Sequence, residues 1–154
     1  MPKHDGPDVR VIPPLVYVAA LLVGLAFSRL VPTRIVAPPV AHIVGAVPAA
    51  AGTALAVSAV LLFRRARTTV LPHRPSSALV TGGPFRVSRN PIYVGFALIH
   101  IGIALAAQSL WALLLLPVVL WVIRTWVILP EEAFLRRRFG DAYAAYQARV
   151  PRWL

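Results

Sequence analysis

Residues 91–129, PIYVGFALIHIGIALAAQSLWALLLLPVVLWVIRTWVIL, decide the architecture. The stretch holds one charged residue, Arg124, and divides into two apolar runs, Pro91 to Ala107 and Ser109 to Leu129. A helix needs roughly 20 predominantly apolar residues to cross a bilayer. Both runs are read as spans. The link Ala106-Ala107-Gln108-Ser109 is too short for much besides a turn between antiparallel helices. The centre of the chain is therefore a helical hairpin in a membrane.

Upstream of the hairpin, Val11 to Val31 and His42 to Phe63 give two further spans. Pro13 and Pro14 fall in the first turn of the first span, where a missing N–H costs little. This run is too long for a signal-peptide core, and it is kept in the mature chain. The second span is rich in Ala, Gly and Ser, a composition that lets helices approach closely in lipid. Residues 1–10 are polar and expected to fray, and Pro32 to Val40 reads as a turn. The expected fold is all-α, a polytopic bundle of about four transmembrane helices forming a single membrane domain over residues 1–154. Arg64 to Asn90 is a long basic loop. Pro130 to Leu154 is a charged tail whose Ala133, Leu135, Phe139, Tyr143 and Tyr146 suggest an amphipathic helix on the membrane surface.

Composition supports the same class. The chain has 154 residues, 58% of them hydrophobic, and a soluble domain of this size could not bury so much apolar surface. The net charge of +11 comes from Arg residues flanking apolar runs. That pattern points to membrane topology and anionic headgroups rather than nucleic acid. Four spans place the basic loop and the basic tail on one side, which the positive-inside rule makes cytoplasmic, with both termini there. In a bacterial cell the location is the cytoplasmic membrane. Arg29 and Arg34, near the first outward link, run mildly against the rule. The absence of Cys excludes disulfides and thiolate nucleophiles, and no His, Asp or Glu set has metal-ligand spacing. His4, His42 and His73 in particular do not.

The chemistry concentrates between Leu79 and Gly95, LVTGGPFRVSRNPIYVG. Gly82-Gly83 permits a tight turn with close backbone approach to a ligand. Asn90 suits an N-cap and Pro91 the first helical position, so the third span begins with a positive dipole end beside Arg89, a ready anion site. Glu131 and Glu132 follow Pro130, where they either stabilise a helix start or face a ligand. His100 lies two turns beyond Tyr93 on the same face, and an intramembrane His is a functional candidate against a plain interhelical hydrogen bond. Arg124, about two turns inside the end of the fourth span, either snorkels outward or meets substrate. The four Trp residues read as interface anchors.

Two stretches, Gly83-Pro84-Phe85-Arg86-x-x-Arg89-Asn90-Pro91-x-Tyr93-x-Gly95 and Glu131-Glu132-x-x-Leu135-x-x-x-Phe139-Gly140-Asp141-x-Tyr143-x-x-Tyr146 with Val150-Pro151-Arg152, resemble isoprenylcysteine carboxyl methyltransferases and phospholipid N-methyltransferases. The resemblance covers Leu79 to Arg152. It implies that loop, third-helix start and tail enclose S-adenosylmethionine near the cytoplasmic face and serve a lipophilic or membrane-embedded small-molecule acceptor. The residues it assigns to the cofactor are Ala78, Leu79, Val80, Thr81, Gly83, Phe85, Arg89, Asn90, Pro91, Ile92, Tyr93 and Glu131. The catalytic candidates are Glu131, Arg124 and His100, with no metal. Asn90 stands where the prenylcysteine enzymes have His. Val127 stands where they have an Arg for the substrate carboxylate, which disfavours a prenylcysteine carboxyl as acceptor.

A sulfonium methyl is already activated, so such a site asks only for alignment, exclusion of water and removal of a proton. A sterol-reductase-type enzyme using NADPH is the alternative, since those enzymes share an Arg-x-Pro-x-Tyr-like element, though this chain is short for one. A non-enzymatic assembly factor or transporter subunit is the third class, and would not need loop and tail motifs together.

Overall fold

The computed structural model describes residues 6–67 and 78–154. His4, His73 and the stretch 68–77 of the basic loop lie outside the described residues. The described residues form five helices in order: α1 (Pro13–Leu30), α2 (Pro38–Arg65), α3 (Pro91–Ala106), α4 (Leu110–Ile123) and α5 (Leu129–Arg149). A 3₁₀ turn (Gly83–Arg86) precedes α3, and a π turn (Arg124–Ile128) joins α4 to α5. Among the described residues there is no strand.

Two helix boundaries differ from expectation for reasons that lie in proline. α2 begins at Pro38, not His42, because Pro38 and Pro39 take its first helical positions, where their fixed φ favours the helix and no N–H is missed. The chain also stays helical past Leu129 into the tail. Pro130 has no N–H, so the carbonyl one turn back, that of Trp126, loses its partner. The π turn absorbs this irregularity, with the Leu129 N–H reaching back to the Arg124 carbonyl. The Arg10 N–H takes the orphaned Trp126 carbonyl at 3.2 Å. For residues 7–10 this bond corrects the expectation of a frayed start, residues 1–5 lying outside the described ones: Pro7 is buried, and Val9 packs with Val11 and Trp153 on the core.

α2 and α3 pack antiparallel along glycines spaced seven residues apart, so that Gly45 faces Gly102 and Gly52 faces Gly95. A Cβ on Gly45 would lie 2.5 Å from the Gly102 carbonyl oxygen, and one on Gly95 would lie 2.6 Å from that of Gly52. Only glycine allows this approach, which replaces the hydrophobic effect as the packing force in lipid. α1 lies against α4 and α3, with Gly24 on the backbone of Ala112. Gln108 closes one end of the bundle from a left-handed turn (φ 55°). Its Oε1 accepts from the Ile35 N–H at 2.7 Å, and its Nε2 donates to the Val36 carbonyl at 2.8 Å. Ser109 caps α4 by accepting from the Ala112 N–H, and it donates to the Gly24 carbonyl.

Among the described residues three helices, Pro13–Leu30, Pro39–Arg65 and Leu110–Arg149, are long and apolar enough to cross a membrane. α3 is shorter, with 16 residues. It is flanked by α2, α4 and α1 and buries Tyr93, Val94, His100 and Ala104, so neighbouring helices rather than lipid set its length. Exposed Leu15, Leu22, Phe27, Val47, Leu114 and Val118 cover the outer faces and suit acyl chains. The protein is an integral membrane helical bundle.

The tail departs from one continuous amphipathic helix. Gly140 takes φ 49° and ψ −124° inside α5. Arg136 Nη2 then donates to Gln147 Oε1 at 2.7 Å, although 11 residues of straight helix would separate the two by about 16 Å. The chain folds back at Gly140. Tyr143 and Tyr146 pack on Phe85, Leu79 and Val80, while Ala133, expected on the same face, is exposed and Phe134 is buried instead.

Candidate functional site

The end of the bundle that carries the α3 start also carries the π turn, the 3₁₀ turn and the folded-back tail. Here the two adjacent glutamates, both on the first turn of α5, have opposite surroundings. Glu132 is buried and serves as the centre of an ion-pair cluster. Arg152 reaches it through Nε at 2.9 Å and Nη2 at 2.8 Å, and Arg89 Nη1 lies 3.0 Å from its Oε1. Glu132 thus has ion-pair partners in addition to its place in the first turn of α5. It ties the loop, the helix and the chain terminus together.

Glu131 has no ion pair among the described residues. Its Oε1 accepts from the Tyr93 hydroxyl at 2.9 Å. This carboxyl is half-buried just beyond the apolar run that ends at Leu129. Burial pushes its pKa up to about 8, against the Tyr93 hydrogen bond and with the neighbouring Glu132 charge adding to the rise. Tyr93 is held in turn by Tyr17 of α1, whose hydroxyl donates to the Tyr93 carbonyl at 3.0 Å. Apolar Val127, Ile128 and Ile123 complete the wall beside them.

The loop residues meet at this end through the tail. Asn90 occupies the position before α3 without capping it by its side chain. That is a correction: Asn90 Nδ2 donates to the Arg152 carbonyl at 3.0 Å, and the Asn90 carbonyl accepts from the N–H groups of Tyr93 and Val94. The Arg89 N–H donates to the Pro151 carbonyl at 2.9 Å, so 88–90 and 151–152 run together as a strap. Arg89 Nε is buried with no hydrogen-bond partner among the described residues, while the same guanidinium meets Glu132 and the Tyr143 hydroxyl. Pro91 is fully buried, and Ile92 packs against both apolar clusters, the one around Tyr17 and Ile123 and the one around Phe85 and Tyr143.

Phe85 is buried edge-on to Phe63, with ring centroids 5.1 Å apart, and its carbonyl accepts from the Tyr146 hydroxyl at 2.7 Å. Gly83 has φ 55°, which a side chain would strain. Leu79 and Val80 pack against the tail, Ala78 is half-buried and Thr81 is exposed.

The remaining candidates lie apart from this cluster. Arg124 opens the π turn with its side chain exposed. His100 is fully buried two turns along α3, its Nε2 2.8 Å from the Ala112 carbonyl oxygen. Sequence reasoning gave no role to Tyr17 or Arg152. A tyrosine inside an apolar span needs a partner for its hydroxyl, which is the available signal for Tyr17. For Arg152 the signal is an arginine at the end of a tail that opens with paired glutamates.

The family model described as phospholipid methyltransferase matches residues 40–142, which run from α2 to the folded-back tail. A Protein-S-isoprenylcysteine O-methyltransferase of Schizosaccharomyces pombe is 38% identical over 73 residues, 47% of this chain. The match covers 31% of that relative, so the chain corresponds to about a third of its length. No solved structure matches the chain. With more than half of its residues matched by one family, and with the loop and the glutamate pair both inside the match, the chain belongs to the phospholipid methyltransferase family.

Proposed function

We propose that this protein transfers a methyl group from S-adenosylmethionine to a lipophilic acceptor at the Glu131 end of the bundle, on the cytoplasmic side. One observation carries the reading: among the described residues a half-buried carboxylate, Glu131, lacks a cation, while a buried guanidinium nitrogen two residues before the α3 start, Arg89 Nε, lacks an acceptor. A zwitterionic amino-acid moiety supplies both missing partners. When bound, S-adenosylmethionine supplies a methyl activated by its sulfonium sulfur.

The chain's own groups bind and orient. Glu131 takes the ammonium and Arg89 Nε the carboxylate. Tyr93 fixes the rotamer of Glu131 through their hydrogen bond, and Tyr17 fixes Tyr93. Ala78 to Thr81, Gly83, Phe85 and Asn90 to Ile92 form the surrounding loop and strap. Val127 and Ile128 keep water from the reacting atoms. Arg124, exposed on the π turn, suits a headgroup contact. The acceptor approaches sideways from the bilayer, between helices whose contacts are small residues. The sidedness rests on the loop and tail arginines, and the four-span reading on α3 running the bundle beside its three longer neighbours.

The test is calorimetry on the purified protein with S-adenosylhomocysteine and with NADPH, followed by incubation with radiolabelled S-adenosylmethionine and a host lipid extract. Binding of S-adenosylhomocysteine and a labelled lipid product are expected. Binding of NADPH alone would replace this reading with the reductase one, which family membership does not favour.

A further inference from the structure

His100 carries an atom that the site described above leaves unused. The residue is wholly buried in the middle of α3. Its Nε2 lies 2.8 Å from the Ala112 carbonyl oxygen. A carbonyl can only accept, so Nε2 carries an N–H, and in that tautomer Nδ1 is an acceptor. Nδ1 has no hydrogen-bond partner among the described residues. An unsatisfied polar atom at this depth is costly, and polar groups inside a membrane bundle mark ligand paths.

The neighbours narrow what can satisfy it. The Tyr17 ring stands edge-on to His100 at 6.2 Å, but its hydroxyl is committed to the Tyr93 carbonyl. Phe96 packs on the other contact of the same Tyr17 ring, at 5.7 Å. An aromatic face formed by α1 and α3 thus runs from Tyr93, beside Glu131, inward to His100. Seven residues of helix separate Tyr93 and His100, about 10 Å along the axis.

We infer that His100 Nδ1 is a specificity determinant: it accepts a hydrogen bond from a hydroxyl or amine of the lipophilic acceptor, about 10 Å along α3 from Tyr93. The inference rests on the methyltransferase reading and adds the acceptor's second polar group to it. Because Nε2 alone ties α3 to α4, recognition and packing use different nitrogens of one ring.

Nitrogen-15 spectra of histidine-labelled protein in phosphatidylcholine nanodiscs, with S-adenosylhomocysteine added, test it. The His100 signals are assigned by their loss in His100→Gln, whose amide keeps a donor toward the Ala112 carbonyl. The probes are 1-dodecanol, which can donate a hydrogen bond, and 1-methoxydodecane, which cannot. The alcohol should move the Nδ1 resonance toward hydrogen-bonded values and the ether should not. His100→Gln should weaken dodecanol binding by about 5- to 10-fold, the loss of one neutral hydrogen bond, with S-adenosylhomocysteine affinity unchanged. An Nδ1 signal already hydrogen-bonded and indifferent to both probes means that resident water fills the position, and the inference falls. Equal responses to both probes, or loss of S-adenosylhomocysteine binding in His100→Gln, also overturn it. Failure of the wild type to bind S-adenosylhomocysteine would instead strike the methyltransferase reading, since the probe shifts are read independently.

Discussion

Glu131→Gln and Glu132→Gln should separate binding from stability, because the two carboxylates have different partners. Gln keeps the shape of Glu131 and its bond to the Tyr93 hydroxyl but removes the charge that faces the ligand ammonium. A charge-assisted hydrogen bond in such an enclosure contributes about 1.5–3 kcal/mol. S-adenosylhomocysteine affinity should therefore fall by about 10- to 100-fold. The comparison belongs at pH 8.5, where most of a carboxyl with a pKa of about 8 is ionised. At pH 7 its deprotonation would offset about 1.4 kcal/mol of the gain. Glu132→Gln leaves Arg89 and Arg152 without their shared anion. Breaking a buried pair costs about 3–5 kcal/mol. The Arg152 side chain is 27% exposed and can turn to solvent, which reduces the cost to about 2–3 kcal/mol. Its thermal midpoint should drop by about 5–10 °C, while Glu131→Gln should unfold no earlier than wild type. The assays are calorimetric titration well below the unfolding temperature and thermal unfolding in the same detergent. An unchanged affinity in Glu131→Gln, or an unchanged midpoint in Glu132→Gln, would refute the division of labour.

Ligand affinity should rise with pH up to about 8 and then level off, because the cation binds the ionised Glu131 and expels its proton. The same raised pKa means that its contribution to ligand-free stability is present below about 4.5 and is lost as pH rises through about 8. Unfolding midpoints of wild type should therefore decline between pH 6 and 8 relative to Glu131→Gln, and parallel curves would count against it. Gly95→Val drives a Cβ into the Gly52 carbonyl and Ala56, so α2 and α3 must separate at a cost of about 1–3 kcal/mol; an undisturbed midpoint would mean that the helices are not held at that distance. A reporter fused after Ser109 should read as external, and a cytoplasmic reading there would reverse the proposed orientation.

How far the sequence reached depended on whether a feature was local. The apolar runs around Gln108 and the small residues of α2 are properties of single segments, and the helices lie close to where periodicity and length put them. The boundaries that moved involve proline and glycine acting at a distance. Pro130 read as a break because its missing N–H is visible in the sequence. The Arg10 N–H that takes the Trp126 carbonyl is 116 residues away and is not. Gly140 was quoted as part of a motif but given no conformation. Its left-handed backbone turns the tail through a bend that a helical-wheel reading of Ala133, Tyr143 and Tyr146 cannot contain.

The site shows the same limit more sharply. Glu131 and Glu132 are equivalent by local sequence: both follow Pro130 and both suit a helix start. What distinguishes them is which side of α5 meets Arg89 and which meets Tyr93, and that is set by the packing of α3 against the π turn. An extra residue in that turn rotates everything beyond it by about 100° relative to an unbroken helix. Pro130 therefore does more than end a pattern of apolar residues. By forcing the π turn it sets the azimuth at which α5 leaves the bundle, with Glu132 toward the arginines of the strap and Glu131 toward Tyr93. The charged cluster that stabilises the tail and the unpaired carboxylate proposed to meet the ligand are two consequences of one missing N–H.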